Sequence, residues 1–166
     1  MRKTFTVALA VVGAGAVLAL GFAVSALGSS TSTATPATSE QPPLTKFSSK
    51  LGSSAEVPKP AGVSSAATGT FTMTLKHAGG KYTATWKLTF AGLTGKVVAA
   101  HIHRGAPGKA GPVLLALCGP CKSGQSGKAQ VTGATANALN GKLAYVNVHT
   151  AKNAAGEIRG QVGKTK

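Results

Sequence analysis

Residues 69–90 read GTFTMTLKHAGGKYTATWKLTF, and their alternation decides the fold class. Phe71, Met73 and Leu75 alternate with Thr70, Thr72, Thr74 and Lys76, the period of two expected of a strand with one buried face. Ala78-Gly79-Gly80 supplies the backbone freedom of a tight turn. Beyond it Tyr82, Ala84, Trp86, Leu88 and Phe90 repeat the pattern in phase, so the stretch is predicted to be a β-hairpin.

Outward from the hairpin, further strands are expected over Phe47–Leu51, Lys96–His103, Val113–Cys118, Lys128–Val131, Lys142–His149 and Glu157–Val162. Val113–Cys118 is apolar on both faces, as a strand in the middle of a sandwich would be. Thr135–Leu139 reads as one helical turn, with Thr135 as N-cap and Asn140-Gly141 as its stop. Short strands, Gly-rich turns and no long helix predict an all-β fold, an antiparallel Greek-key β-sandwich or barrel of about seven or eight strands.

The chain ahead of this domain differs in kind. Met1-Arg2-Lys3 is a positive start, Phe5 to Val24 is an apolar run, and Val24-Ser25-Ala26 fits a small-residue cleavage rule. Residues 1–26 are therefore expected to be an export signal, with an uncleaved membrane anchor as the competing reading. Residues 27–45, rich in Ser, Thr, Ala and Pro, read as a flexible linker. The domain is expected over residues 46–163, in a secreted or extracytoplasmic protein.

Eighteen Lys and Arg stand against three Glu (Glu40, Glu56 and Glu157), and there is no Asp. A net charge of +15 favours anionic surroundings: phospholipid headgroups, acidic wall polymers, sulfated glycans or nucleic acid. Nucleic acid is disfavoured, since the few aromatics do not interleave with the lysines as stacking platforms. Contact with a membrane is expected only through the N-terminal segment, if that segment is uncleaved.

Along Lys96–His103, Val98, Ala100 and Ile102 fall on one face, assigned to the core, and Ala99, His101 and His103 on the other. The same split turns Tyr145, Asn147 and His149 outward, and Glu157, Arg159 and Gln161 with them. If those strands are neighbours, a polar patch forms beneath the Gly105–Pro112 loop. Its candidate members are Arg104, Asn147, Glu157 and Arg159. Alternating histidines lie about 7 Å apart along a strand, a spacing from which two imidazoles reach one metal ion. His101, His103 and His149 are thus a candidate site for copper or zinc. The competing reading has these imidazoles pin the loop through its carbonyls. His77, at a strand end in phase with the core, reads as structural.

Cys118-Gly119-Pro120-Cys121 spells a dithiol redox tetrapeptide, but the Gly- and Ser-rich segment after it is a poor helix and offers no helix N-terminus to lower a thiol pKa. A local Cys118–Cys121 disulfide at a strand end is expected instead. With Glu56 and Glu157 as the only carboxylates of the domain, an Asp-based triad is excluded and a carboxylate pair would need both in one cleft. Glu157 is expected to pair with a strand neighbour such as Arg104. No phosphate loop or dinucleotide fingerprint appears.

Several motifs together resemble the chordin-type (CHRD) domain: Leu51-Gly52 leading to Glu56-Val57-Pro58; Ala100-His101-Ile102-His103 with Gly105, Gly108 and Gly111-Pro112; Tyr145-Val146-Asn147-Val148-His149-Thr150; and Gly156-Glu157-Ile158-Arg159-Gly160-Gln161. They span nearly all of residues 47–163 in family order. The resemblance implies an extracytoplasmic β module of a kind found in bacterial exported proteins and in an animal secreted antagonist of growth factors. The His-x-His strand, the Gly-Pro loop, the later Val-His and the C-terminal Arg segment are also similar to copper/zinc superoxide dismutase. That likeness implies His101, His103 and His149 as copper ligands and Arg159 as an anion guide. The zinc subsite lacks its Asp, and no fourth copper histidine is evident. The leading expectation is a non-enzymatic cell-surface binding or structural module for anionic polymers or extracellular proteins. The alternative is metal binding through the three histidines, with dismutase-like chemistry below both.

Overall fold

The computed structural model describes residues 43–166. The signal expected over residues 1–26 and the linker up to residue 42 lie outside the described residues. Among the described residues, nine strands and one α-helix form in the order β1 (Leu44–Gly52), β2 (Thr68–Ala78), β3 (Lys81–Ala91), β4 (Val97–Arg104), β5 (Val113–Cys118), β6 (Gln125–Val131), α1 (Gly133–Asn140), β7 (Ala144–Thr150), β8 (Ile158–Gln161) and β9 (Gly163–Lys164), with a 3-10 turn at Ser53–Ala55 after β1. Among the described residues no helix is long and apolar enough to cross a membrane.

The opening hairpin is β2–β3, paired without a slip from Thr68↔Ala91 to Ala78↔Lys81. Its inward residues Phe71, Met73, Ala84, Trp86 and Leu88 are buried. Each large one contributes about 2–3 kcal/mol by leaving water. His77, in phase with them, lies past the end of the core, where it is exposed and stacks on Tyr82 with ring centroids 4.1 Å apart.

All nine strands belong to one antiparallel sheet in the order β5-β4-β7-β8-β1-β2-β3-β6, with β9 beside β1. The two-sheet alternative thus gives way to a nearly closed barrel. Phe47, Phe71, Leu88, Ile102, Val146, Val148 and Ile158 fill it. The ends of the path are β5 and β6, consecutive in sequence yet not paired to each other. The Cys118–Cys121 disulfide clips the turn between them.

Three local expectations are corrected. β5 is an edge strand rather than a central one, and Val113 is 51% exposed. Its apolar character reflects packing on one face and an uncovered flank on the other. On β4 the register against β7 shifts between Val97 and Ala99, which turns Val97 into the core and leaves Val98 exposed. A bulge adds a residue to one strand and reverses the inward set beyond it. α1 starts earlier than expected: its N-cap is Thr132, which accepts from the Thr135 backbone N–H, and Thr135 is buried within the first turn.

Candidate functional site

Strands β4, β7 and β8 are neighbours, so the outward residues of all three share one face. Ala99 lies opposite His149, His101 opposite Asn147 and His103 opposite Tyr145. On the far side of β7, Asn147 faces Arg159 and Tyr145 faces Gln161. Although outside the barrel, this face is covered. Every residue of β7 is buried, and Arg159 is 2% exposed.

The cover is the 105–112 loop, and the face beneath holds it by its carbonyls. Arg159 Nη2 donates to Ala106 O at 3.2 Å and to Lys109 O at 2.8 Å. Gln161 Nε2 donates to Gly105 O at 2.8 Å, and the Gly111 N–H donates to the Tyr145 hydroxyl at 3.2 Å. Gly111 is sterically required, since a Cβ there would lie 2.0 Å from the Arg104 carbonyl oxygen. Tyr145 is sandwiched: the His103 ring stacks on it at 5.1 Å and 9°, and the Arg159 guanidinium carbon sits 3.4 Å from its ring centroid.

The three imidazoles converge. One ring nitrogen from each of His101, His103 and His149 lies within 4.8 Å of the other two. His103 Nδ1 is 2.9 Å from Gly111 O, and His149 Nδ1 is 2.9 Å from Ala154 O. A carbonyl only accepts, so each Nδ1 carries a proton, and in the neutral tautomer this selects, Nε2 is the lone-pair atom. His149 Nε2 lies 3.0 Å from His101 Nδ1, while His103 Nε2 is buried without a partner. Burial lowers the His101 pKa, and the neighbouring His149 and His103 lower it further. Burial also lowers that of His149, against the Ala154 carbonyl, which favours its charged form. Both effects keep lone pairs available. Loop pinning and convergence occur together: Nδ1 of His103 and His149 holds the loops while Nε2 faces the cluster.

The polar patch forms with a changed membership. Asn147 and Arg159 are in it, but Arg104 is exposed and takes no part. Glu157 does not pair with Arg104. Lying before β8 rather than in it, Glu157 turns to the end of β7, where its carboxylate accepts from Thr94 N and Thr150 Oγ1, each at 2.6 Å, and from Asn153 Nδ2 at 3.5 Å. Desolvation raises its pKa, but the bonds from Thr150, Thr94 and Asn153 outweigh it and hold the carboxyl below its ordinary value.

The carboxylate that reaches the patch is Glu56, which follows β1 and is 1% exposed. Its Oε1 accepts from the Val57 N–H at 3.1 Å, and its Oε2 has no partner. A Cβ on Gly156 would fall 2.4 Å from that Oε2 and 2.9 Å from Asn147 Nδ2, so glycine admits the carboxyl. Desolvation raises the Glu56 pKa, opposed by the Val57 amide, Arg159 and Asn147. The signal for Glu56 was present in the Glu56-Val57-Pro58 motif, but its position outside any strand gave no facing rule to place it.

In comparison with known proteins, the family model of the CHRD domain matches residues 47–162. No curated protein and no solved structure matches the chain.

Proposed function

The chain belongs to the CHRD family, and on that premise we propose that its domain is an extracellular-type binding module whose built site is a trihistidine metal centre. Copper is its first candidate and zinc its second. The supporting observation is the convergence of three ring nitrogens: carbonyls that engage Nδ1 of His103 and His149 turn both Nε2 atoms to the cluster, where that of His149 meets His101 Nδ1 and that of His103 has no partner. A buried imidazole nitrogen without a partner is an unfavourable arrangement unless something occupies its lone pair, and His103 Nε2 is such an atom. A neutral, nitrogen-only donor set suits late first-row metals over magnesium or calcium, and among divalent ions copper binds such sets most tightly.

The role proposed is holding the ion rather than turning over a substrate. The half-buried His101 and His103 leave one side of the cluster open to an exchanging ligand. Arg159 is engaged with two loop carbonyls and the Tyr145 ring, which argues against its serving as a freely reaching anion guide. An extracytoplasmic setting agrees with the family and with the disulfide.

Copper titration of the full chain with electron spin resonance tests the reading. One equivalent should bind saturably with imidazole nitrogen couplings, and His101→Ala should weaken it by at least about tenfold, the loss of one good ligand interaction. Absence of saturable binding, or binding unchanged in His101→Ala, would sink the proposal.

A further inference from the structure

The outer face of β1, β2, β3 and β6 has none of this cover. Registers across the four strands align its outward residues in rows: Ser48, Thr72, Lys87 and Ser126; then Lys46, Thr74, Thr85 and Lys128. The row on one side is Lys50, Thr70 and Thr89, and on the other Leu44, Lys76, Thr83 and Gln130. Every position but Leu44, Gln130 and the lysines is a hydroxyl, and the grid contains no carboxylate, imidazole or aromatic ring. A concavity of about 370 Å³ lies at its centre, bordered by Lys46, Ser48, Thr72, Thr74, Lys87 and Ser126, with the buried Phe47, Met73 and Trp86 also contributing to its lining.

We infer that this face is a docking surface for a linear phosphodiester polymer, laid in the groove with its phosphates between Lys46, Lys87 and Lys128. Its charge is complementary to that partner, since five ammonium groups on one sheet face meet no compensating acid. Lysine ammoniums bind phosphate as point charges, without the fixed orientation that an arginine fork imposes, which suits the successive phosphates of a flexible chain. The hydroxyl rows between the lysines donate to phosphate and to a polyol backbone alike. Without an exposed aromatic the face offers no stacking platform for nucleobases, which sets duplex or single-stranded nucleic acid below a polyol phosphate. Protecting a sheet edge explains Lys128 on β6. It does not explain Lys46, Lys50 and Lys76, which stand on strands paired on both sides.

The probe is immobilised poly(glycerol phosphate), presented to the full chain. Binding should weaken steeply with salt, as displacement of counterions from a polyanion requires. The triple variant Lys46→Ser, Lys87→Ser, Lys128→Ser should lose at least about tenfold in affinity, while Lys59→Ser, Lys96→Ser, Lys122→Ser, which removes equal charge elsewhere, should lose less than about threefold. All six positions are exposed, so both variants should fold, and copper titration of both should match the wild type. Equal losses in the two variants would reduce the effect to diffuse charge and overturn the proposal. So would no binding at low salt, or tighter binding to duplex DNA, heparin or phosphatidylglycerol vesicles than to poly(glycerol phosphate).

Discussion

The face of β4, β7 and β8 and the face of β1, β2, β3 and β6 are both exteriors of one sheet, and both alternate apolar and polar residues. One is nonetheless nearly as buried as the core, and the other is bare. The covered face carries His103, His149, Asn147, Arg159 and Gln161, whose bonds end on the carbonyls of loops folded over it, and Tyr145, whose hydroxyl accepts from a loop N–H. The bare face carries Thr, Ser and Lys, whose side chains are short or long and solvated. A period of two therefore reports which side of a sheet faces the barrel interior, and the polar residue types report whether a loop will cover the other side.

The sharpest way to break this contrast is Arg159→Ala. It removes two loop-carbonyl bonds and the contact with Tyr145, and takes from the buried Glu56 the positive charge that favours its ionised form. A loss of about 3–5 kcal/mol is expected in denaturant unfolding, the usual range for stripping one member from a buried charged network. The matching change on the bare face, Thr72→Ala, should stay within about 0.5 kcal/mol. Similar values for the two would show that the cover adds nothing.

Acid titration should come from the covered side, because the bare grid holds no carboxylate or imidazole. The two glutamates there should act with opposite sign. Glu157 has a depressed pKa in the fold, so its contribution is full above the ordinary carboxylate value and is lost as pH falls through the folded value. The stability gap between wild type and Glu157→Gln should thus narrow on acidification. Glu56 has a raised pKa, so its contribution is full at acid pH and is lost as pH rises through the folded value. Glu56→Gln should therefore gain on the wild type as pH rises above the ordinary carboxylate value in urea unfolding series. A common sign for the two variants would refute this assignment.

The smallest effect sharpens the role of the cover itself. Tyr145→Phe keeps the ring between His103 and Arg159 but deletes the acceptor for the Gly111 N–H. About 1 kcal/mol of stability should be lost, the net worth of one hydrogen bond. Amide exchange at Gly111 should rise more than exchange along β2, whose ladder is untouched. Unchanged exchange at Gly111 would mean that the loop is held without Tyr145.

Much of this was legible before any coordinates. The hairpin followed from Phe71, Met73 and Leu75 with their partners on the next strand, since turn and period agreed. The outward placing of His101, His103 and His149 followed from the same rule. Val98 failed it because a bulge between Val97 and Ala99 is a pairing event with no local mark. Val113–Cys118 was misplaced at the centre because an apolar run does not say whether a neighbour pairs with each flank. The exchange of Glu157 for Glu56 had a similar origin: both lie outside strands, where loop path alone decides which cavity a carboxyl enters.

The sequence by itself determined an all-β domain, the hairpin at its heart, the family, the charge of the domain and the side of the strand on which the histidines stand. Those properties depend on residue types and a backbone period, which act within a few positions. Only the tertiary structure decided that β4, β7 and β8 are adjacent, that loops from distant positions close over their outer face, and that three imidazoles meet there with His103 Nε2 unpartnered. Those depend on pairing and loop path, for which local alternation carries no information.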